Sequence, residues 1–268
     1  MRGQAVNNAA TSLSGISAEA VTGHFISAAG LPLTIAINGM SFLLSALGEV
    51  FLKLPEKTKC PQNRNKLSVS AVTENTKTIF RSQGLKKIAV FAVLFNLLSS
   101  GCDKTMLAFV LEKGFTVSQH GYMLSAGSMA VMLCTFILSV KNFSSSVRWN
   151  MLKYGLFTSR VMFALLCCEV SFYSSISLYR VGAFANCMAN AVINSVLFSL
   201  IPEEKRGGIL GILTSASTGA MAVSTFSYGL LGNIFPLKNI FFYGSLICAA
   251  FVITATNNRF FKRIVVEN

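Results

Sequence analysis

Chemistry in an apolar chain is sought first at ionisable or amide side chains lying within apolar stretches. Lipid or a dry core tolerates them only beside a partner, water or a ligand. Glu19, His24, Asp103, Lys104, Arg160 and Arg180 stand in this way, each at an insertion cost of roughly 2.5 to 3.5 kcal/mol at mid-span. At 1.5 Å rise per residue from the basic ends of their stretches, Glu19 lies about 21 Å in and Asp103 about 24 Å; Arg180 is about 10 Å from the far end and Arg160 near mid-depth. Two readings stand. In one, Glu19 and Asp103 are counter-ions for Lys104, Arg160 or Arg180 along the outward part of a solute path, where a carboxylate could also carry a proton. In the other, Asp103 and Lys104 mark the outer water interface. For Arg160 and Arg180 the expectation is structural pairing.

Amides form a second pattern. Gly182, Asn186, Asn190 and Asn194 recur every four residues, a drift of about 40° per step along a helix, and so share one stripe. Facing lipid they would be costly, so the stripe should line a cavity or bond to another helix, with Asn96 joining it. Gly211, Ser215 and Gly219, by contrast, suit close helix contact. Enzyme signatures are missing: there is no H-E-x-x-H, G-x-x-x-x-G-K-[ST] or G-x-G-x-x-G, and Gly15 to Glu19 fails G-x-S-x-G at its last position. His24 and His120 lie on different stretches, and the seven cysteines form no C-x-x-C pair. No metal, cofactor or disulfide framework is expected, and the cysteines read as small packing residues.

The elements that must position these residues are membrane spans. Of the 268 residues 53% are apolar and 12% charged, against about a quarter charged in soluble domains. Runs of roughly 20 apolar residues give eight candidate helices: A (5–28), B (31–54), C (87–111), D (119–140), E (149–170), F (173–201), G (208–231) and H (236–256). The fold class is an all-α polytopic membrane protein with about eight transmembrane helices. Nearly continuous apolar stretches such as Phe91 to Leu98 exclude the alternation of a β-barrel.

The net charge of +13 would suit a nucleic-acid partner, but its distribution does not. Eighteen of the 23 Lys and Arg fall on connections of one side, leaving Lys113 and Lys238 on the other and Lys104, Arg160 and Arg180 within spans. The positive-inside rule then places both termini in the cytoplasm, with the lipid bilayer of the cell membrane as partner and no nucleic acid. The longest basic connection, Lys53 to Lys87, divides the helices two against six. Within it Val69, Val72, Thr76, Ile79 and Phe80 recur at helical spacing, so it holds either an amphipathic helix on the membrane surface or a solvated linker.

A faint repeat gives that division a meaning. Gly15 and Gly23 in A are eight apart, as are Gly211 and Gly219 in G, and each helix is followed by a Gly/Pro turn and a helix with an early glycine, Gly39 or Gly244. A and B thus correspond to G and H, the last two helices of a six-helix unit, as in carriers built from two halves. The resulting division is 1–54, the last two helices of an N-terminal half; 55–86, a basic linker; and 87–268, a six-helix C-terminal half.

Three segments carry a family resemblance: Ala5-Val6-Asn7-Asn8, Ile37-Asn38-Gly39-Met40-Ser41-Phe42-Leu43-Leu44-Ser45-Ala46, and Ile201-Pro202-Glu203-Glu204-Lys205-Arg206-Gly207. With them the chain resembles the major facilitator superfamily, in particular its drug- and siderophore-exporter branch, from the fifth helix to the twelfth. The last segment looks like the branch's P-E-x-x-R-G turn. Two departures accompany the likeness: the first four helices are absent, and Glu19, Ala20 and His24 replace Gly, Pro and Gly of the antiporter motif, so antiport is not carried over. The resemblance implies a partial facilitator fold and no enzyme. It further implies export of a small amphipathic molecule by two rocking halves, with a separate chain supplying the missing helices. The alternative is a transport-inactive structural or regulatory subunit.

Overall fold

In the computed structural model the described residues are 30, 32–48, 69–141, 143–168 and 171–267. The expectations for helix A, including Glu19 and His24, and for Cys60 lie outside them. Every regular element among the described residues is helical. α1 spans Pro32–Gly48. It is followed by α2 (Val69–Arg81), α3 (Gln83–Lys104), α4 (Met106–Glu112), α5 (Val117–Val140), α6 (Ser145–Leu166), α7 (Phe172–Leu200), α8 (Arg206–Gly232), α9 (Leu237–Thr256) and α10 (Arg259–Glu267), with one 3₁₀ turn at Glu203–Lys205.

Local chemistry sets the ends. α3 starts where Ser82 Oγ accepts from the Leu85 amide, and α7 where Ser171 Oγ accepts from Ser174. α4 stops at Gly114, whose φ of +84° suits glycine, with the Phe115 amide reaching back to the Val110 carbonyl. Two residues later Thr116 and Gln119 exchange side-chain and backbone bonds in a capping box that opens α5. α9 begins behind Pro236, with Glu112 Oε2 accepting from the Leu237 amide, a carboxylate at a helix N-terminus.

Span C, expected as one helix over 87–111, is divided at Thr105. The Thr105 hydroxyl donates to the Gly101 carbonyl at 2.7 Å, and such back-bonding bends a helix. Span E starts and stops earlier than expected: the amides of Cys167 and Cys168 turn to carbonyls three residues back, and Lys113 Nζ caps the end by donating to the Leu166 and Cys168 carbonyls.

Among the described residues five helices, α3, α5, α7, α8 and α9, are long and apolar enough to cross a membrane; α6 is as long but less apolar. Packing partners run in a row: α5 on α7, α7 on α6, α6 on α9, α9 on α3 and α3 on α8. One apolar core, including Leu85, Phe91, Leu152, Val192, Val252 and Phe261, fills the end nearest α10. A second, with Met106, Phe109, Met123, Phe163 and Phe241, fills the opposite end. At the basic end α2 packs on α3 and the start of α8. Lys205 Nζ donates to Glu74 Oε1 at 2.5 Å, and that bond and the ammonium charge hold the Glu74 carboxyl below its ordinary value of 4.5.

Candidate functional site

At the end of the molecule away from α10, α3 and α6 bring Asp103 and Arg160 together. Arg160 Nη2 lies 3.9 Å from Asp103 Oδ1; the guanidinium side chain is 1% exposed, the carboxylate 40%. Arg160 is enclosed because α6 lies mid-row. Its guanidinium carbon sits 4.7 Å from the centre of the Phe163 ring and 5.6 Å from that of Phe95, so aromatic faces supply part of what water would. Nη2 also donates to the neighbouring Ser159 Oγ at 3.1 Å. Nε and Nη1 are buried with no hydrogen-bond partner among the described residues.

Beside the pair a polar knot joins three helices. The Cys102 thiol donates to the Tyr228 hydroxyl at 3.3 Å and lies 4.0 Å from Ser245 Oγ, and the Gly101 amide donates to Ser224 Oγ at 2.8 Å. The Tyr228 ring slots between Gly101 of α3 and Gly244 of α9, where a Cβ on either glycine would run into it. Tyr228 also forms one wall of an apolar cavity of about 430 Å³ between α3, α8 and α9, with Leu98, Phe235, Asn239, Tyr243 and Ile247 on its other sides. Among the described residues no cluster of His, Cys, Asp or Glu could hold a metal ion. The arrangement suits binding of an apolar body: an almost wholly apolar cavity near a charge held out of water.

The model of the Major Facilitator Superfamily matches residues 1–225 of this sequence. The chain belongs to the Major Facilitator Superfamily. It is similar to an uncharacterised MFS-type transporter of Methanocaldococcus jannaschii, 18% identical over 222 residues, which cover 81% of this chain and 55% of that relative. The chain thus spans about half the length of the relative. Membership in this superfamily accounts for the exposed apolar side chains of the end-of-row helices, such as Phe136 on α5 and Phe226 on α8, which belong against lipid.

Other expected site residues fall elsewhere in this facilitator chain. Lys104 is exposed beside Asp103. Arg180 is exposed on α7 with no ion pair among the described residues, whereas Arg160 lies beside Asp103. Among the described residues the α7 stripe does not bond across helices: Gly182 packs against Met162 and Phe163, whereas Asn186 is half-buried, Asn190 and Asn194 are exposed, and Asn190 Nδ2 donates to Asn186 Oδ1 at 3.2 Å. The buried face of α7 is instead Ala185, Ala189, Val192 and Val196. Asn96 does not join the stripe; its amide donates to the Ala92 carbonyl of its own helix. Gly211, Ser215 and Gly219, expected at a close helix contact, have no such contact among the described residues. All three are exposed and neither glycine has an atom within 4 Å of an added Cβ, because α8 turns Ser224 and Tyr228 toward α3. Sequence reasoning missed the Cys102–Tyr228 knot. Its signal was Ser224 and Tyr228 four residues apart on one face, with Gly101 and Gly244 in apolar helices to receive a ring.

Proposed function

We propose that this chain forms part of a secondary active transporter of the cell membrane that exports a small amphipathic compound, with both chain ends in the cytoplasm. Superfamily membership supports transport as the class of activity, and the one-sided distribution of Lys and Arg supports the orientation. The observation that carries the reading of the solute is the apolar cavity headed by Tyr228, Asn239 and Tyr243, beside the Asp103–Arg160 pair. An amphipathic molecule needs that combination: a greasy wall for its body and a charged pair nearby for its polar end. The exposed Asn190 and Asn194 support a second helical layer opposite α7, since bare amides against lipid are costly. In this reading they line the path between two rocking halves, and a separate chain supplies the remaining helices.

The test expresses the full chain alone and together with the first four helices of a facilitator N-terminal half, purifies each into proteoliposomes, and follows ethidium and anilinonaphthalene sulfonate under an imposed pH gradient. The paired preparation should move one of the dyes, and Asn190→Leu should slow it. No gradient-driven movement of either dye by the paired preparation would overturn the proposal in favour of a transport-inactive subunit. Transport unchanged by Asp103→Asn would remove Asp103 from the path.

A further inference from the structure

A second cavity, of about 400 Å³, lies at the basic end, where α5 and α6 part over the floor of α7. Its rim carries Lys141, the C-cap of α5, and Arg148 in the first turns of α6; Ser195 of α7 adds a hydroxyl. Its walls are Leu138, Met151 and Val192. No carboxylate lines it, and the first turn of α6 contains no acidic residue, so the positive end of that helix adds to the two cations instead of being offset. Lys141 is exposed and Arg148 half-buried, the placement of side chains that reach from an apolar wall toward a headgroup.

We propose that this cavity is a binding site for an anionic phospholipid. The phosphate sits between the Lys141 ammonium and the Arg148 guanidinium, within reach of the Ser195 hydroxyl, and the upper part of an acyl chain lies along Leu138, Met151 and Val192. Charge complementarity selects the anion, and apolar walls beneath the cations select a lipid over a free phosphate, which has no use for them. The site is separate from the cavity beside Tyr228 and does not depend on which solute the protein carries.

The experiment is native mass spectrometry of the full chain released from nanodiscs of phosphatidylcholine mixed with equimolar phosphatidylglycerol. Phosphatidylglycerol should be retained preferentially. Binding should fall roughly fivefold for each of K141Q and R148Q and stay unchanged in K262Q, a cation of the same end outside the cavity. Ala191 of α7 also lines the cavity, and Ala191→Trp, which keeps both cations and fills the apolar part, should also lose the lipid; it serves if the charge variants do not fold. Equal retention of the two lipids, undiminished binding in K141Q/R148Q or in Ala191→Trp, an equal loss in K262Q, or complete displacement by inorganic phosphate would each overturn the proposal.

Discussion

α6 carries Arg148, Lys153 and Arg160 and is less apolar than its neighbours, yet ten of its 22 residues are buried. α8 carries one cation at its start and is apolar enough to span a membrane, yet only Ile209, Ser224 and Tyr228 of its 27 residues are buried. In water the order would be reversed. In a bilayer the surrounding solvent is as apolar as leucine, so an apolar face gains little by turning inward, and a polar face gains much. The row of helices expresses this: α6 lies between α7 and α9 with α10 against it, and α8 sits at the end, held through α3. α8 packs through Ile209 in the core nearest α10 and, at its other buried patch, through a serine and a tyrosine that bond to α3.

The contrast can be broken at named residues, with stability read as thermal unfolding of the purified chain in detergent. The largest effect is expected at the charge α6 encloses: Asp103→Asn leaves the Arg160 cation buried without its counter-ion and should cost about 3 kcal/mol, most of it recovered in Asp103→Asn/Arg160→Leu. If the single exchange is silent, α6 is not the enclosed helix it is described as. Next comes a matched pair of glycines. A Cβ at Gly155 would press on the Ala185 carbonyl and Ala189, so Gly155→Val should cost about 2 kcal/mol. Gly211→Val on α8 meets nothing among the described residues and should stay within about 0.5 kcal/mol; equal losses would erase the distinction. Tyr228→Phe removes the acceptor of the Cys102 thiol at the buried patch of α8 and should cost about 1 kcal/mol.

The smallest effect concerns Glu74 and Lys205, the exposed pair just before α8. Because the folded state holds the Glu74 carboxyl low, the pair's contribution is present above the ordinary 4.5 and lost as pH falls through the lower folded value. Wild type should therefore weaken relative to Glu74→Gln on acidification below about 4.5, and parallel pH profiles for the two would remove the pair from any role in seating α2.

How far the site was legible follows from the range of the interactions. The α7 stripe was visible because a four-residue repeat is a local property, but periodicity alone does not say whether the next layer is protein or lipid; Asn190 and Asn194 proved exposed where interhelical bonding was one of the two expectations. Asp103 and Arg160 were both conspicuous as charges in apolar runs, and nothing in their spacing marked them as partners, since the match depends on α3 and α6 each packing on α9. Gly211 and Gly219 face no neighbour among the described residues, and small residues at regular spacing describe both a packed seam and an open face. Tyr228 was passed over as one aromatic among many, and only the flanking glycines of α3 and α9 give its ring a place.

The sequence by itself determined that the chain is helical, that its long helices suit a bilayer, and that most of its cations fall between the apolar runs, because hydropathy and charge are sums over neighbouring residues. The tertiary structure decided which helix lies inside, which charge is enclosed and which cavities open between helices. Lipid and protein interior are equally apolar to a side chain, so composition cannot separate them, and only the packing order of the helices does.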